Sequence, residues 1–141
     1  MRAIKLLFVF MFVFLLTGCG NSANNAKIES TPSVATHTSY VVSSEVEKNP
    51  LMAKEKYNNK VITVITKPEY IGKSLNDEFP YEVWELKGIK SNVYVRFFFT
   101  DKQKDSITKL NAGKSVEIKG LVTRVDANYV DLIGCVVTKN N

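Results

Sequence analysis

Asp101–Lys114 reads "DKQKDSITKLNAGK". It is polar, with a short helical piece over about residues 105–110 that Asn111-Ala112-Gly113 ends. What lies on either side makes its position decisive. Before it comes Val93–Phe99, "VYVRFFF", and after it "SVEIKGLVTRV" (115–125), both rich in β-branched and aromatic residues. A helix placed between two such strands narrows the choice of small all-β architectures.

Outward from that segment the strands can be counted. "VITVIT" (61–66) is β-branched throughout and Pro68 stops it. "YIGKSLNDEFP" (70–80) is rich in turn formers and reads as loop. "YEVWEL" (81–86) alternates, and Lys87-Gly88 with Lys90-Ser91-Asn92 turns the chain into Val93–Phe99. Gly120 interrupts the fourth strand, and Asp126-Ala127-Asn128 leads into a fifth, "YVDLIGCVV" (129–137). Ahead of the strands, Val46, Pro50, Ala53 and Tyr57 form one helical stripe. Asn49-Pro50 supplies an N-cap and first turn, Ser44-x-x-Glu47 an earlier alternative, and Asn58-Asn59 the end. The order predicts an all-β protein with short helices: a five-stranded OB-fold Greek-key barrel, preceded by an N-terminal helix, with a helix between strands three and four. Gly120 suits a sharp bend or bulge in such a barrel.

The N-terminus predicts location. Met1–Lys5 is a positive head, and Leu6–Leu16, "LLFVFMFVFLL", is uninterruptedly apolar. A spanning helix needs about 20 such residues, so the run reads as a secretory signal core. Leu16-Thr17-Gly18-Cys19 follows at once and resembles the lipobox of bacterial lipoproteins. Small Gly18 admits the peptidase, and the Cys19 thiol is the nucleophile that takes a diacylglyceryl thioether. Residues 1–18 are thus expected as signal peptide, with cleavage between Gly18 and Cys19. Residues 19–45 are expected as lipidated cysteine plus flexible tether, since Ser, Thr, Asn and Ala dominate, with an r.m.s. reach of roughly 28 Å. Residues 46–141 form the domain. Everything after Cys19 is placed outside the cytoplasm, on a bacterial cell or outer membrane. Without residues 1–18 the chain holds seventeen basic and fourteen acidic residues, a net of +3. That is weak for a nucleic-acid footprint.

Three pieces carry a family likeness: Ala53-Lys54-Glu55-Lys56-Tyr57-x-x-Lys60 running into Val61-x-x-Val64; Leu110-x-x-Gly113-x-x-Val116-x-Ile118-x-Gly120; and Val130-x-Leu132-x-x-Cys135-x-Val137. They resemble the tRNA-anticodon-domain-like OB family, met often as bacterial lipoproteins, over about residues 46–138. The resemblance implies the OB fold and, as fold does not carry function, no particular ligand. Asn59 and Thr66 stand where relatives commonly have glycine. Val95 stands where a cysteine is common, which leaves Cys135 without an obvious partner, in the setting of a small buried hydrophobe.

Catalysis is not expected. The sole histidine, His37, falls in the tether, which removes Ser/His and Cys/His arrangements. One free thiol and a remote imidazole do not make a Cys/His metal centre, and no cofactor motif appears. What remains is a binding face. OB-folds bind through strands two and three, and the outward face of Val93–Phe99 carries Tyr94, Arg96 and Phe98. Beside them stand either Tyr81 and Val83 or Glu82 and Trp84. Arg96 between two aromatics suits stacking and two-pronged pairing. The expected candidate face is Trp84, Tyr94, Arg96 and Phe98, on a monomer anchored in the membrane. It is read first as a surface for a protein or peptide and second as one for single-stranded nucleic acid. A further alternative has the 46–57 helix or the 67–80 loop covering it, with Arg96 paired to Glu82 or Glu85.

Overall fold

The computed structural model describes residues 25–85 and 91–141. Gly18, Cys19, the first residues of the expected tether and the Lys87-Gly88 turn lie outside them. Strand β2 (Val61–Thr66), β4 (Tyr81–Trp84), β5 (Tyr94–Phe99), β6 (Val116–Val125) and β7 (Tyr129–Asn140) stand where five strands were expected. Two more join them: β1 (Thr36–Thr38) and β3 (Tyr70–Lys73). The sheet therefore has seven strands, in the order β1-β2-β6-β7-β5-β4-β3. The all-β, OB-like class holds, and the count of five does not.

The reason lies at Pro68. β2 pairs with β6 near one end of the sheet, and β3 pairs with β4 at the other. Yet only Lys67–Glu69 separates them, and four Cα steps span at most about 14 Å. The two ends of the sheet are thereby held together and the sheet must curl on itself. One stretch, broken where proline cannot donate to a ladder, serves both edges. Glu69 N–H donates to Trp84 O at 3.1 Å, and Gly113 N–H to Pro68 O at 2.7 Å. β5 and β7 pair in parallel, the other large pairings being antiparallel.

Alternation sorts the faces as expected. Val95, Phe97 and Phe99 are buried to 2% exposure or less, and Tyr94, Arg96 and Phe98 are half-buried. The interior is completed by Val64, Val83, Ile118, Val122, Leu132 and Cys135. Gly120 falls at an irregularity of the β6–β7 ladder. A Cβ there would lie 2.6 Å from Cys135 Sγ and 3.0 Å from Leu132 Cβ, so glycine allows the close approach. Cys135 is a free, fully buried thiol whose pKa burial pushes up, which fits its reading as a small hydrophobe. Between β5 and β6, a 3-10 turn (Asp101–Gln103) runs into helix α4 (Lys104–Ile107), which buries Ile107.

The expected tether is corrected from Asn25 onward. Helix α1 (Asn25–Ser30) packs on β6 and β7 with Ile28 buried. β1 adds in parallel to β2, and helix α2 (Ser39–Lys48) starts at Thr38, whose side chain accepts from Val41 N–H. The average composition of this segment is polar. Ile28, Val42 and Val46 are nevertheless each placed to enter a cluster, and those few apolar positions suffice to dock it. His37 accordingly lies in β1, edge-on to the Tyr57 ring at 5.9 Å. The single expected helix is two. Asn49 ends α2 and caps α3 (Pro50–Tyr57), its side chain accepting from Met52 N–H at 3.1 Å. Ser44 does not cap. Of the expected stripe, Val46, Ala53 and Tyr57 enter the main core. Asn59, with φ 60°, turns the chain into β2. Among the described residues no helix is long and apolar enough to cross a membrane.

Two measurements check this packing. Gly120→Ala should cost about 1–3 kcal/mol in urea unfolding, and Cys135→Ala in the same chain should recover part of it, because Sγ is the nearest obstacle. Burial, together with the Glu45 carboxylate that accepts from its hydroxyl at 2.6 Å, pushes Tyr57 from 10.0 to about 12. The fold holds the neutral phenol, so that stabilisation is complete below pH 10 and is lost as the pH climbs to 12. Phenolate absorbance should show a step near pH 12 that is missing from Tyr57→Phe, and that variant should lose the alkaline drop in stability.

Candidate functional site

The outer side of the curled sheet carries residues from four strands in register. Tyr70 of β3 faces Trp84 of β4, Trp84 faces Arg96 of β5, and Arg96 faces Asp131 of β7. Arg124 of β6 continues the row beyond Asp131. One step along, Tyr94 faces Tyr129 across the parallel pair. Strand pleating puts these side chains on one surface, and the parallel register decides which residue of β7 meets which residue of β5.

Rings form a continuous series across it. Tyr70 and Trp84 stack at 4.9 Å, Trp84 and Tyr94 meet edge-on at 6.0 Å, and Tyr94 and Tyr129 stack at 5.8 Å. Arg96 lies over Tyr129 at 4.2 Å and over Phe98 at 5.3 Å, and Arg124 covers Tyr129 at 4.7 Å. Cation–π contacts of this kind contribute about 0.5–2 kcal/mol each.

Arg96 is committed. Its Nε and Nη2 donate to the two oxygens of Asp131, both at 2.8 Å. The Asp131 carboxylate bonded to it raises the guanidinium's already high pKa. Asp131 also has Arg124 Nη1 at 3.8 Å, and Arg124 Nε donates to Asp126. Backbone N–H groups of Asn128 and Tyr129, with Arg124, outweigh the burial of Asp126 and lower its pKa. The expected partners of Arg96 are therefore replaced. Glu85 accepts from Ser39 and, at 2.9 Å, from Thr66, so it ties α2 to β2 instead. The Glu82 side chain makes no hydrogen bond or ion pair among the described residues, though its charge acts on Arg96 and helps raise that guanidinium's pKa.

Trp84, Tyr94 and Arg96, with Glu82 and Tyr129, line an open cleft of about 230 Å³. Phe98, expected in the same face, stays on the outer side but does not line the cleft. Its ring packs on the cluster of Ile28, Val61, Phe79 and Val136 and supports Arg96 from beneath. The covering alternative thus holds in part: Phe79 of the 67–80 segment lies with Ile28 of α1 in the cluster under Phe98, and Tyr70 of the same segment stacks on Trp84. The α2–α3 stripe enters the interior. Tyr70, Tyr129, Asp131 and Arg124 were not in the sequence-derived face. Nothing local marks them, since strand order and the parallel register bring them in. Among the described residues no three or more His, Cys, Asp or Glu side chains gather as a metal site.

Asp131→Ala tests the pair. It leaves a half-buried guanidinium without its counter-ion and should cost roughly 2–3 kcal/mol in urea unfolding, with Arg96→Met recovering part of the loss.

The sequence profile of the tRNA_anti-like family matches residues 1–136. No curated protein sequence matches. Among solved structures, the chain is similar to a "putative nucleic acid-binding lipoprotein" from Klebsiella pneumoniae subsp. pneumoniae. That match has 19% identity and a TM-score of 0.61, and covers 81% of this chain and 97% of that one. A second similarity is to a "putative aspartyl-tRNA synthetase" from Leishmania major Friedlin, at 11% identity and a TM-score of 0.46, covering 79% of this chain and 22% of that one. At such identities the first likeness establishes the fold.

Proposed function

The chain belongs to the tRNA_anti-like family, and on that premise we propose a non-catalytic OB-type module, lipid-anchored through Cys19 outside the cytoplasm, that engages a protein or peptide. The surface used is the outer face of β3, β4, β5 and β7. One observation carries the ligand class: the rings of this face stack on each other, and its arginine is already bonded. Bases stack on open ring faces, and here Tyr70 stacks on Trp84, Tyr94 on Tyr129, and two guanidiniums lie over Tyr129. The paired edge of Arg96 that would fork a phosphate is held by Asp131. A peptide asks for neither. Ring edges, hydroxyls and apolar area suit an interface core, where Tyr, Trp and Arg are enriched.

Single-stranded nucleic acid is the second reading. It is favoured by the aromatic series on the strands that OB-folds use for oligonucleotides, and by the description of the similar Klebsiella protein as nucleic acid-binding. Trp84 is the only tryptophan in the chain, so its fluorescence reports directly on this face. Titration with a labelled single strand should give no saturable change at low salt. Saturable binding that falls steeply with salt would replace the peptide reading with this one. The anchor has its own test: Cys19→Ser should move the protein from the membrane fraction to the soluble one, and unchanged retention would refute it.

A further inference from the structure

We propose that the cleft between β4, β5 and β7 seats a cationic side chain, a lysine ammonium, of the bound peptide; the inference rests on the peptide reading above. The argument is one of charge balance. Arg96 and Arg124 are matched by Asp131 and Asp126, two cations against two anions in one connected set. Glu82 lies on the same surface, half-buried, and lines the cleft with Trp84, Tyr94, Arg96 and Tyr129. It is in no ion pair among the described residues. Its charge acts on Arg96 as well, so the set holds three carboxylates against two guanidiniums, an excess of one negative charge among aromatic rings.

Ring faces are the negative poles of their quadrupoles, and ammonium groups are held where such rings meet a carboxylate. The cleft, about 230 Å³ and open to solvent, has room for a side chain but not for a folded element. An acidic side chain would meet Glu82 and find the paired edge of Arg96 occupied by Asp131. A cation meets Glu82, while the charge of Arg96 is offset by the carboxylate bonded to it.

The test reads Trp84 fluorescence of the full chain against three blocked peptides that alternate serine with lysine, norleucine or glutamate. The lysine peptide is expected to bind, and Glu82→Gln to weaken it about tenfold with an unchanged urea midpoint. Equal binding of the norleucine peptide, or binding that Glu82→Gln leaves untouched, overturns the cation seat and leaves the peptide reading standing. Preference for the glutamate peptide overturns the seat in the same way. If no peptide binds, or only a single-stranded oligonucleotide does, both fall.

Discussion

Three residues, Lys67–Glu69, hold the architecture together, because they oblige the two ends of one sheet to meet. β2 has its place beside β6 and β3 has its place beside β4. A linker this short leaves no flat arrangement in which both pairings exist. Curling then encloses Val83, Val95, Phe97, Phe99, Ile118 and Leu132, each worth about 1.5–3 kcal/mol when fully buried. Strand pairing separately sets β3, β4, β5 and β7 side by side with their outer residues in register. The cleft follows from strand order: its rings, Trp84, Tyr94 and Tyr129, come from three neighbouring strands that are separate in sequence.

Charge decides what that surface offers. Arg96 is one of two arginines outside the first eighteen residues, and in isolation it invites a phosphate. In the fold it spends its paired edge on Asp131 and its faces on Tyr129 and Phe98. It thereby becomes a structural member of the face, one that fixes the rings beside it. Affinity must then come from aromatic area and from the residual negative charge at Glu82, which is a different chemistry from the basic groove that tracks a nucleic-acid backbone.

Local patterning made much of this legible. The alternation of Val93–Phe99, the cap at Asn49-Pro50 and the bend at Gly120 depend on neighbours in sequence and stand where the pattern puts them; the helix after β5 is there too, but ends at Ile107 rather than at Leu110. Contacts set by strand order were out of reach. Asp131 lies within an expected strand, unlike Asp101 or Asp126, but only parallel pairing of β5 with β7 selects it as the partner of Arg96. The cluster beside Phe98 was out of reach for the same reason: strand alternation fixes the side it faces but not that Phe79 and Ile28 lie against it. Residues 25–45 misled because mean polarity hides a few well-spaced apolar anchors.

Those anchors also bear on how the domain would stand at a membrane. A 26-residue flexible tether would let the barrel wander over roughly 28 Å. With α1 packed on β6 and β7, only six Cα steps separate Cys19 from Asn25, and these span at most about 22 Å. Under the proposed anchor, the lipid would therefore lie within that reach of α1, far less free to range than a 26-residue coil would leave it.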